Sequence, residues 1–593
     1  MLMKLSKRIL SIAAACSVLF DMFSFPVSAD ERETITVSIS NRLCVFSGWG
    51  TGFSQWAVDA GKSKTVSDKA AEVLFGEDGL KMNMVRYEIS GGDDPTHSHF
   101  LDADKMPPSW TKAVTDKKGK TDHIIDLSKD KNRIALLKKC INSAGGDLSV
   151  ELCPTSPPYY MTVSGCTAGA VYSGKDNLRS DRRGAYGEYL ASAVAAMAAQ
   201  GISVAGIAPM NEPSSLHWKA GDTRREGFHV SQGEQQSYLL LAVRNALNNA
   251  GLSKVYISAP DEADVDTASA SLKALTGKAA RIVHNVNIHS AEHENSDFTA
   301  ASKNFGSVRI TEADGLYTAG SNAGEMSAAL GISKRIISDL QNSGASAWVM
   351  WQAVSDGRPD LDRGYLGLVY RDDLTRRLEP TQKYYAFGQF SRYISAGSTL
   401  IKVDENTIAA YNRSENRMTI VAVNDGCGVK KVKYSLDGFG MLKGSTVKEI
   451  RTSGSLDNGE HWSVTDDAAV VTSTGFSVDL APNSVTTCVI DGAVLLKTGT
   501  LGDINGDGNI NVTDLTLTAA HVKSARCLTD DAQLLADVNG DGKVNITDIT
   551  RLAAHIKGKR IITDVRRYNE DSFITYDEDI VTSDDDITSD GEF

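Results

Sequence analysis

Between residues 30 and 400, short apolar runs alternate with longer stretches whose apolar positions recur every three to four residues. The runs are 46–50, 84–89, 148–152, 204–209, 255–259, 286–289, 308–311 and 347–354. Their length and near-continuous apolarity predict strands buried on both faces. Stretches such as 184–199, 234–250 and 324–341 carry the helical period. Repeated strand–helix units imply a parallel sheet. Eight units favour a closed (β/α)₈ TIM barrel, an α/β fold in which polar residues at the C-terminal strand ends carry the chemistry.

The texture then changes. Runs at 419–424, 430–436, 470–473 and 484–489 read as short strands separated by turns, as in a β-sandwich. A further run at 34–40 lies before the barrel and offers that sandwich another strand. The expected organisation is a barrel over 30–396, with 31–45 available to the sandwich, a sandwich over 397–494, a linker over 495–500 and a small all-α unit over 501–563.

That last unit contains two copies of one acidic loop, DINGDGNINVTD from Asp503 and DVNGDGKVNITD from Asp537. Asp503, Asn505, Asp507, Asn511 and Asp514 stand at positions 1, 3, 5, 9 and 12. Asp537, Asn539, Asp541, Asn545 and Asp548 repeat them. Glycine fills position 6, where the chain must turn sharply. Position 7, Asn509 and Lys543, supplies a backbone carbonyl. This spacing meets the six to eight oxygens that a hard cation such as Ca2+ requires, so two structural calcium ions are expected. Each loop leads into a matching helix, 515–524 and 549–558. Ile546, Ile549, Leu552, Ala553 and Ile556 are expected on one packing face.

Net charge is −13, which argues against a nucleic-acid partner. Part of it is local: residues 564–593 hold eleven acidic residues against two arginines and read as a disordered, solvated tail. At the other end, Lys4, Lys7 and Arg8, an apolar run over 9–20 and Val27-Ser28-Ala29 form the pattern of a signal peptide over 1–29, so export is expected. The eight cysteines are scattered and predict neither a disulfide scaffold nor a zinc site; Cys153 with Cys166 and Cys427 with Cys488 are conceivable pairs, isolated thiols at least as good a reading.

Candidate chemistry lies at two strand ends. Ile207-Ala208-Pro209-Met210-Asn211-Glu212 ends the fourth run, and Val308-Arg309-Ile310-Thr311-Glu312 the seventh. Two carboxylates facing one bond suit retaining glycoside hydrolysis: one acid protonates the leaving oxygen, the other attacks the anomeric carbon. Glu212 is assigned as acid/base, with a carboxyl expected to be raised by burial and by its partner's charge, and Glu312 as nucleophile. Glu88, Glu226 and Asp314 are rival carboxylates.

The segments SGWGTGFSQWA, MVRYEISGG, PPYYMTVSGC, PMNEPSSLHWKAG, RREGFHVSQGEQQ, NIHS, ITEADG and AWVMWQ, in that order over about 41–491, resemble glycoside hydrolase family 30, with nearest likeness to its endo-β-1,6-galactanase-like branch. The two loops resemble a type I dockerin over about 501–560. The family resemblance implies a barrel with a side β-sandwich and an acid/base and nucleophile after strands 4 and 7. It also implies sugar-binding roles for Arg86, Asn211 and His289, sugar stacking by Trp49, Trp218 and Trp351, and an unusual backbone at Trp351, a non-proline cis peptide. Trp56 divides evenly between stacking and core. Glu88 stands where the family leads one to expect Asn, and Ser290 where an aromatic is common.

The dockerin resemblance implies a cohesin partner on a cellulosome scaffold, contacted through Val512, Thr513, Ile546 and Thr547. Together these imply a secreted, cellulosome-associated glycosidase acting on plant cell-wall polysaccharide, with β-1,6-galactan the first expectation. Glucuronoxylan, β-1,6-glucan or another β-glycoside is the alternative, and a non-catalytic carbohydrate-binding scaffold component a third.

Overall fold

The computed structural model describes residues 32–92, 100–101, 104–119, 121–313, 325–356, 367–372, 375, 377–496, 500–523, 527–539, 543–562 and 573–574. The expected signal peptide, Asp314, Asp541 and most of the acidic tail lie outside them.

Eight parallel strands close into a barrel. They are β1 (Gly48–Phe53), β2 (Met84–Ile89), β3 (Ser149–Pro154), β4 (Gly206–Ile207), β5 (Tyr256–Ser258), β6 (Val283–Ile288), β7 (Ser307–Ala313) and β8 (Ala347–Met350). Each pairs with its sequence neighbour, and β8 closes on β1 with Ala347 opposite Gly48. Helices such as Arg183–Ala199, Glu234–Asn249 and Met326–Ser343 cover the outside. Strand β2 is buried at every position because it is covered on both faces. Between β2 and its helix lies an antiparallel hairpin, Thr111–Thr115 with Thr121–Ile125, which the apolar pattern does not reveal.

Beside the barrel stand two further sheets. A seven-stranded sheet includes Arg42–Val45, Arg417–Asn424, Phe439–Ser453 and Ser484–Leu495; a four-stranded one includes Glu33–Ser38, Lys430–Asp437 and Gly475–Leu480. Glu33–Ser38 runs parallel to Lys430–Asp437, with Ile35 opposite Tyr434, so this segment joins the sandwich ahead of the barrel strands. Val37, Ile420, Tyr434 and Ile490 form the core between the sheets.

Helices Val512–Val522 and Ile546–Ile556 pack on each other, with a short helix at Asp530–Ala536. Leu552 is buried between them, but Ile546 is exposed at the first turn and does not share the packing face expected of it. This unit rests on the sandwich. Leu534 enters the sandwich core, and Arg413 Nη2 lies 3.3 Å from Asp537 Oδ2. The tail is not wholly solvated either. Phe573 bridges to Leu442, and the Ile574 N–H donates to the Met441 carbonyl at 2.9 Å, because two apolar residues interrupt the acidic run.

Candidate active site

Strand direction places the ends of β1, β2, β3, β4, β7 and β8 around one cleft of about 390 Å³, lined by Glu88, Asn211, Glu212, Trp218, Glu312 and Trp351 among others. Its floor is a buried charge network. Arg86, from β2, donates through Nη1 to Asp261 Oδ1 at 2.9 Å. Its Nη2 donates to Asp261 Oδ2 at 2.8 Å, to Asn211 Oδ1 at 2.5 Å and to Glu312 Oε2 at 3.2 Å. A planar guanidinium suits this role because its fork matches a carboxylate on one side and reaches further acceptors on the other.

His289 follows β6 and spans the two expected catalytic carboxyls. Its Nδ1 lies 3.2 Å from Glu212 Oε1 and its Nε2 3.5 Å from both Glu312 Oε2 and Asp261 Oδ1. Burial alone would lower its pKa, but the charge of Glu312 and the bonds to Asp261 and Glu212 outweigh it and push it up to about 10. Asp261 is fully buried, which would raise its carboxyl, yet Arg86 and His289 hold it well below the usual range.

Glu212 sits on left-handed backbone, φ +42°, and its N–H donates to the Asp261 carbonyl at 2.8 Å. The Trp218 indole donates to the Glu212 carbonyl at 2.7 Å and so anchors the backbone of the acid/base candidate. The expectation of a raised Glu212 carboxyl is not met in the free protein. Burial pushes it up, but the His289 hydrogen bond and charge, with Arg225 nearby, bring it below the ordinary value. Glu312 is the raised member, because burial exceeds the opposing pull of His289 and Arg86.

Of the sequence candidates, the structure brings together Arg86, Asn211, Glu212, Trp218, His289, Glu312 and Trp351. It does not bring Trp49. That indole is buried among Phe46, Phe387 and Phe390 and donates to the Ile394 carbonyl at 2.8 Å, so it faces away from the cleft into the packing under helix Gln382–Ser391. Trp56 is likewise core, edge-on to Phe53. The peptide bonds of Trp351 are trans; its N–H continues the strand ladder to the Ala313 carbonyl at 2.9 Å. Gly52 makes room for it, since a Cβ there would meet the Trp351 carbonyl oxygen at 2.5 Å. Glu226 accepts from Ser90 Oγ, the Gly91 N–H and Thr155 Oγ1, which makes it a clamp on the loop after β2. Asp261 is the residue that sequence reasoning missed. Its signal was an acidic residue directly after a strand-end proline, in Ser258-Ala259-Pro260-Asp261.

In the first acidic loop, Asp503 accepts from the Asp507 and Gly508 N–H groups, and Asp514 from those of Ile504, Asn505 and Asn511. Gly508 has φ +85°, the sharp turn that position 6 demands. Asn505, Asp507, Asn509 and Asn511 complete an all-oxygen donor set of the chemistry a hard cation takes, so the loop fits calcium. The second loop repeats the pattern, with Asp548 accepting from Asn539 and Asn545. Val512, Thr513, Ile546 and Thr547 are exposed on the first turns of the two long helices.

Two carboxylates at the strand ends of such a barrel are an arrangement suited to glycoside hydrolysis. Residues 121–300 match the model of O-glycosyl hydrolase family 30, and 501–557 that of the dockerin type I domain. The chain therefore carries a family 30 glycosidase domain and a type I dockerin. An exo-beta-1,6-galactobiohydrolase of Bifidobacterium longum subsp. longum is 22% identical over 75% of this chain and 38% of that protein, so the chain spans under two-fifths of that relative's length. A putative glucosylceramidase 4 of Caenorhabditis elegans is 24% identical over 64% of this chain and 73% of the relative. Among solved structures, the catalytic domain of a GH30 xylanase C from Talaromyces cellulolyticus has a TM-score of 0.58 at 17% identity, covering 77% of this chain and 100% of that one. A conserved exported protein from Bacteroides fragilis reaches 0.62 at 16%, with the same coverage. These structures share the fold.

Proposed function

We propose that this protein is a secreted, retaining endo-glycosidase that hydrolyses β-1,6-galactan and is held on a scaffold cohesin through its dockerin. The observation that carries the chemistry is the placement of Glu212 and Glu312 in one cleft with His289 spanning them. The galactan assignment is supported by the relative named an exo-beta-1,6-galactobiohydrolase, which aligns over three-quarters of this chain.

In the first step, a Glu312 oxygen attacks the anomeric carbon while Glu212 gives its proton to the glycosidic oxygen. The C–O bond breaks, the alcohol leaves and a glycosyl ester forms on Glu312. In the second, Glu212 takes a proton from water, whose oxygen displaces Glu312 with net retention. The site needs one proton between its two carboxyls. His289 is charged in the free protein and carries N–H on both ring nitrogens. Its Nδ1 can give a proton to Glu212, which leaves the neutral ring with Nε2–H toward Glu312, and Glu312 attacks as the carboxylate. Arg86 then steadies the Glu312 charge. Bound calcium would order the dockerin loops through Asp503, Asp507, Asp514 and their counterparts, and has no part in the cleft.

Linkage-resolved product analysis on β-1,6-galactan, glucuronoxylan and β-1,6-glucan tests the substrate, with Glu212→Gln and Glu312→Gln as controls. Galactan left intact overturns the substrate assignment. Undiminished hydrolysis by either variant overturns the catalytic one.

A further inference from the structure

One acidic group in the cleft has no place in the two-carboxyl reaction. Glu88 ends β2, lines the cleft beside Glu312 and Trp351, and is 8% exposed. Its backbone is fixed: Arg133 Nη2 donates to the Glu88 carbonyl at 2.7 Å, and Arg133 is itself held by Asp130. Gly52 lies against the side chain: a Cβ there would stand 3.8 Å from Glu88 Oε1. The Trp351 side chain donates one hydrogen bond to the Glu88 carboxyl, where Glu226 accepts from Ser90, Gly91 and Thr155.

The charges around it are unequal. Glu312 faces it from β7, and Cys153 lies opposite it on β3. Glu212 and Glu226 share the cleft from the loops after β4. Arg86 and Arg133 are the cations in range, but Arg86 is committed to Asp261, Asn211 and Glu312, and Arg133 to Asp130. Burial first, then the Glu312 charge, raises the Glu88 carboxyl to about 7, against the two arginines and Trp351. A carboxyl kept neutral in a cleft is a hydrogen-bond donor, which an ionised one is not.

We propose that Glu88 is a further substrate-binding residue whose neutral carboxylic O–H donates to a hydroxyl oxygen of the sugar seated over Glu312. This rests on the glycosidase reading and extends it to a third carboxyl with a different duty. The proton stays on Glu88 through the reaction, so the step balance of the double displacement is unchanged. Above neutral pH Glu88 ionises, the donor is lost, and a second negative charge stands beside Glu312.

The test compares wild type, Glu88→Gln and Glu88→Leu as full-length protein. The carboxamide of Gln keeps a donor and cannot ionise; Leu has none. With β-1,6-galactooligosaccharides, wild-type kcat/KM is expected to fall above about pH 7, by roughly tenfold per pH unit, while Glu88→Gln holds its activity further into alkali. Glu88→Leu is expected to lose roughly tenfold at pH 6, the worth of one hydrogen bond, chiefly in KM. Carboxyl ¹³C titration of the wild type against Glu88→Gln needs no substrate and is expected to show a signal with a midpoint near 7 that the variant lacks. Superimposable pH profiles for wild type and Glu88→Gln, or a Glu88 signal in the ordinary carboxylate range, overturn the proposal. A galactan that no form cleaves, with the Glu88 signal still near 7, sinks the substrate reading instead; the profiles are then decided on whichever glycan is cleaved.

Discussion

The cleft and the dockerin loops both gather carboxylates, yet they restrain them by different means. In the cleft, buried Asp261 and half-buried Glu312 are held against two fixed cations, Arg86 and His289. In the loops, Asp503 and Asp514 accept from backbone N–H groups, and Asp507 reaches solvent. A site that must move a proton needs its charges held at set distances in a dry place, so that small changes in charge shift proton affinity strongly. A site that receives a cation needs oxygens whose mutual repulsion the ion itself relieves. The two clusters are similar in composition and opposite in design.

The largest effects fall on chemistry. Glu312→Gln is expected to lower kcat on the order of 10⁴-fold or more, and Glu212→Gln by roughly 10²–10⁴-fold, with calcium binding by the loops unaltered. Steady-state rates beside calcium titration read both; a coupled loss would break the distinction. Next comes the buried pair. Asp261→Asn strips Arg86 of its charge partner and is expected to cost about 3–5 kcal/mol of barrel stability, measured by denaturant unfolding. A change near zero would mean that the cleft tolerates unpaired charge as the loops do.

Calcium acts on the other side of the comparison. At a hundred times its dissociation constant it is expected to stabilise the dockerin by about 2.7 kcal/mol, and chelation should reverse this while glycan hydrolysis in solution continues. Hydrolysis that stops on chelation would place calcium in the cleft. The smallest effect is a pH window. His289 has its pKa raised from 6.5 to about 10 on folding, so its contribution is fully present below about 6.5 and is lost as pH rises through 10. The stability gap between wild type and His289→Gln should narrow across that window; a gap that widens would show that the ring is buried neutral. Asp261 has the opposite sign: its folded pKa is depressed, so its contribution is present above the ordinary carboxylate range and lost in acid.

Much of this was legible in the chain because burial on both faces leaves long apolar runs. Met84–Ile89, apolar but for the cleft residues Arg86 and Glu88, forms a strand with the expected bounds. Strand β4 was expected over 204–209 but only Gly206–Ile207 pairs with neighbours, since the chain turns toward the cleft at Pro209. The repeated loops were legible for a different reason, namely that ligand geometry fixes residue type at fixed offsets. What stayed hidden depends on contacts between distant segments. Trp49 stands near the end of the expected run 46–50, but the strand formed is Gly48–Phe53, which puts it at the N-terminal end of β1, away from the cleft. Asp261 follows a proline and reads locally as a turn; only closure of the barrel brings Arg86 to it. The tendency of Glu212 and Glu312 to divide one proton in the direction found depends on His289, which lies 77 residues from one and 23 from the other.

The backbone of Glu212 has a consequence for anyone wishing to harden this protein. A side chain at φ +42° is held where L-residues are crowded, at a cost of about 1–2 kcal/mol that glycine escapes. Glu212→Gly is thus expected to yield an inert protein that resists heat at least as well as its parent. Selection for thermostability alone would drift toward discarding the acid, so a screen on this scaffold has to reward turnover and survival together.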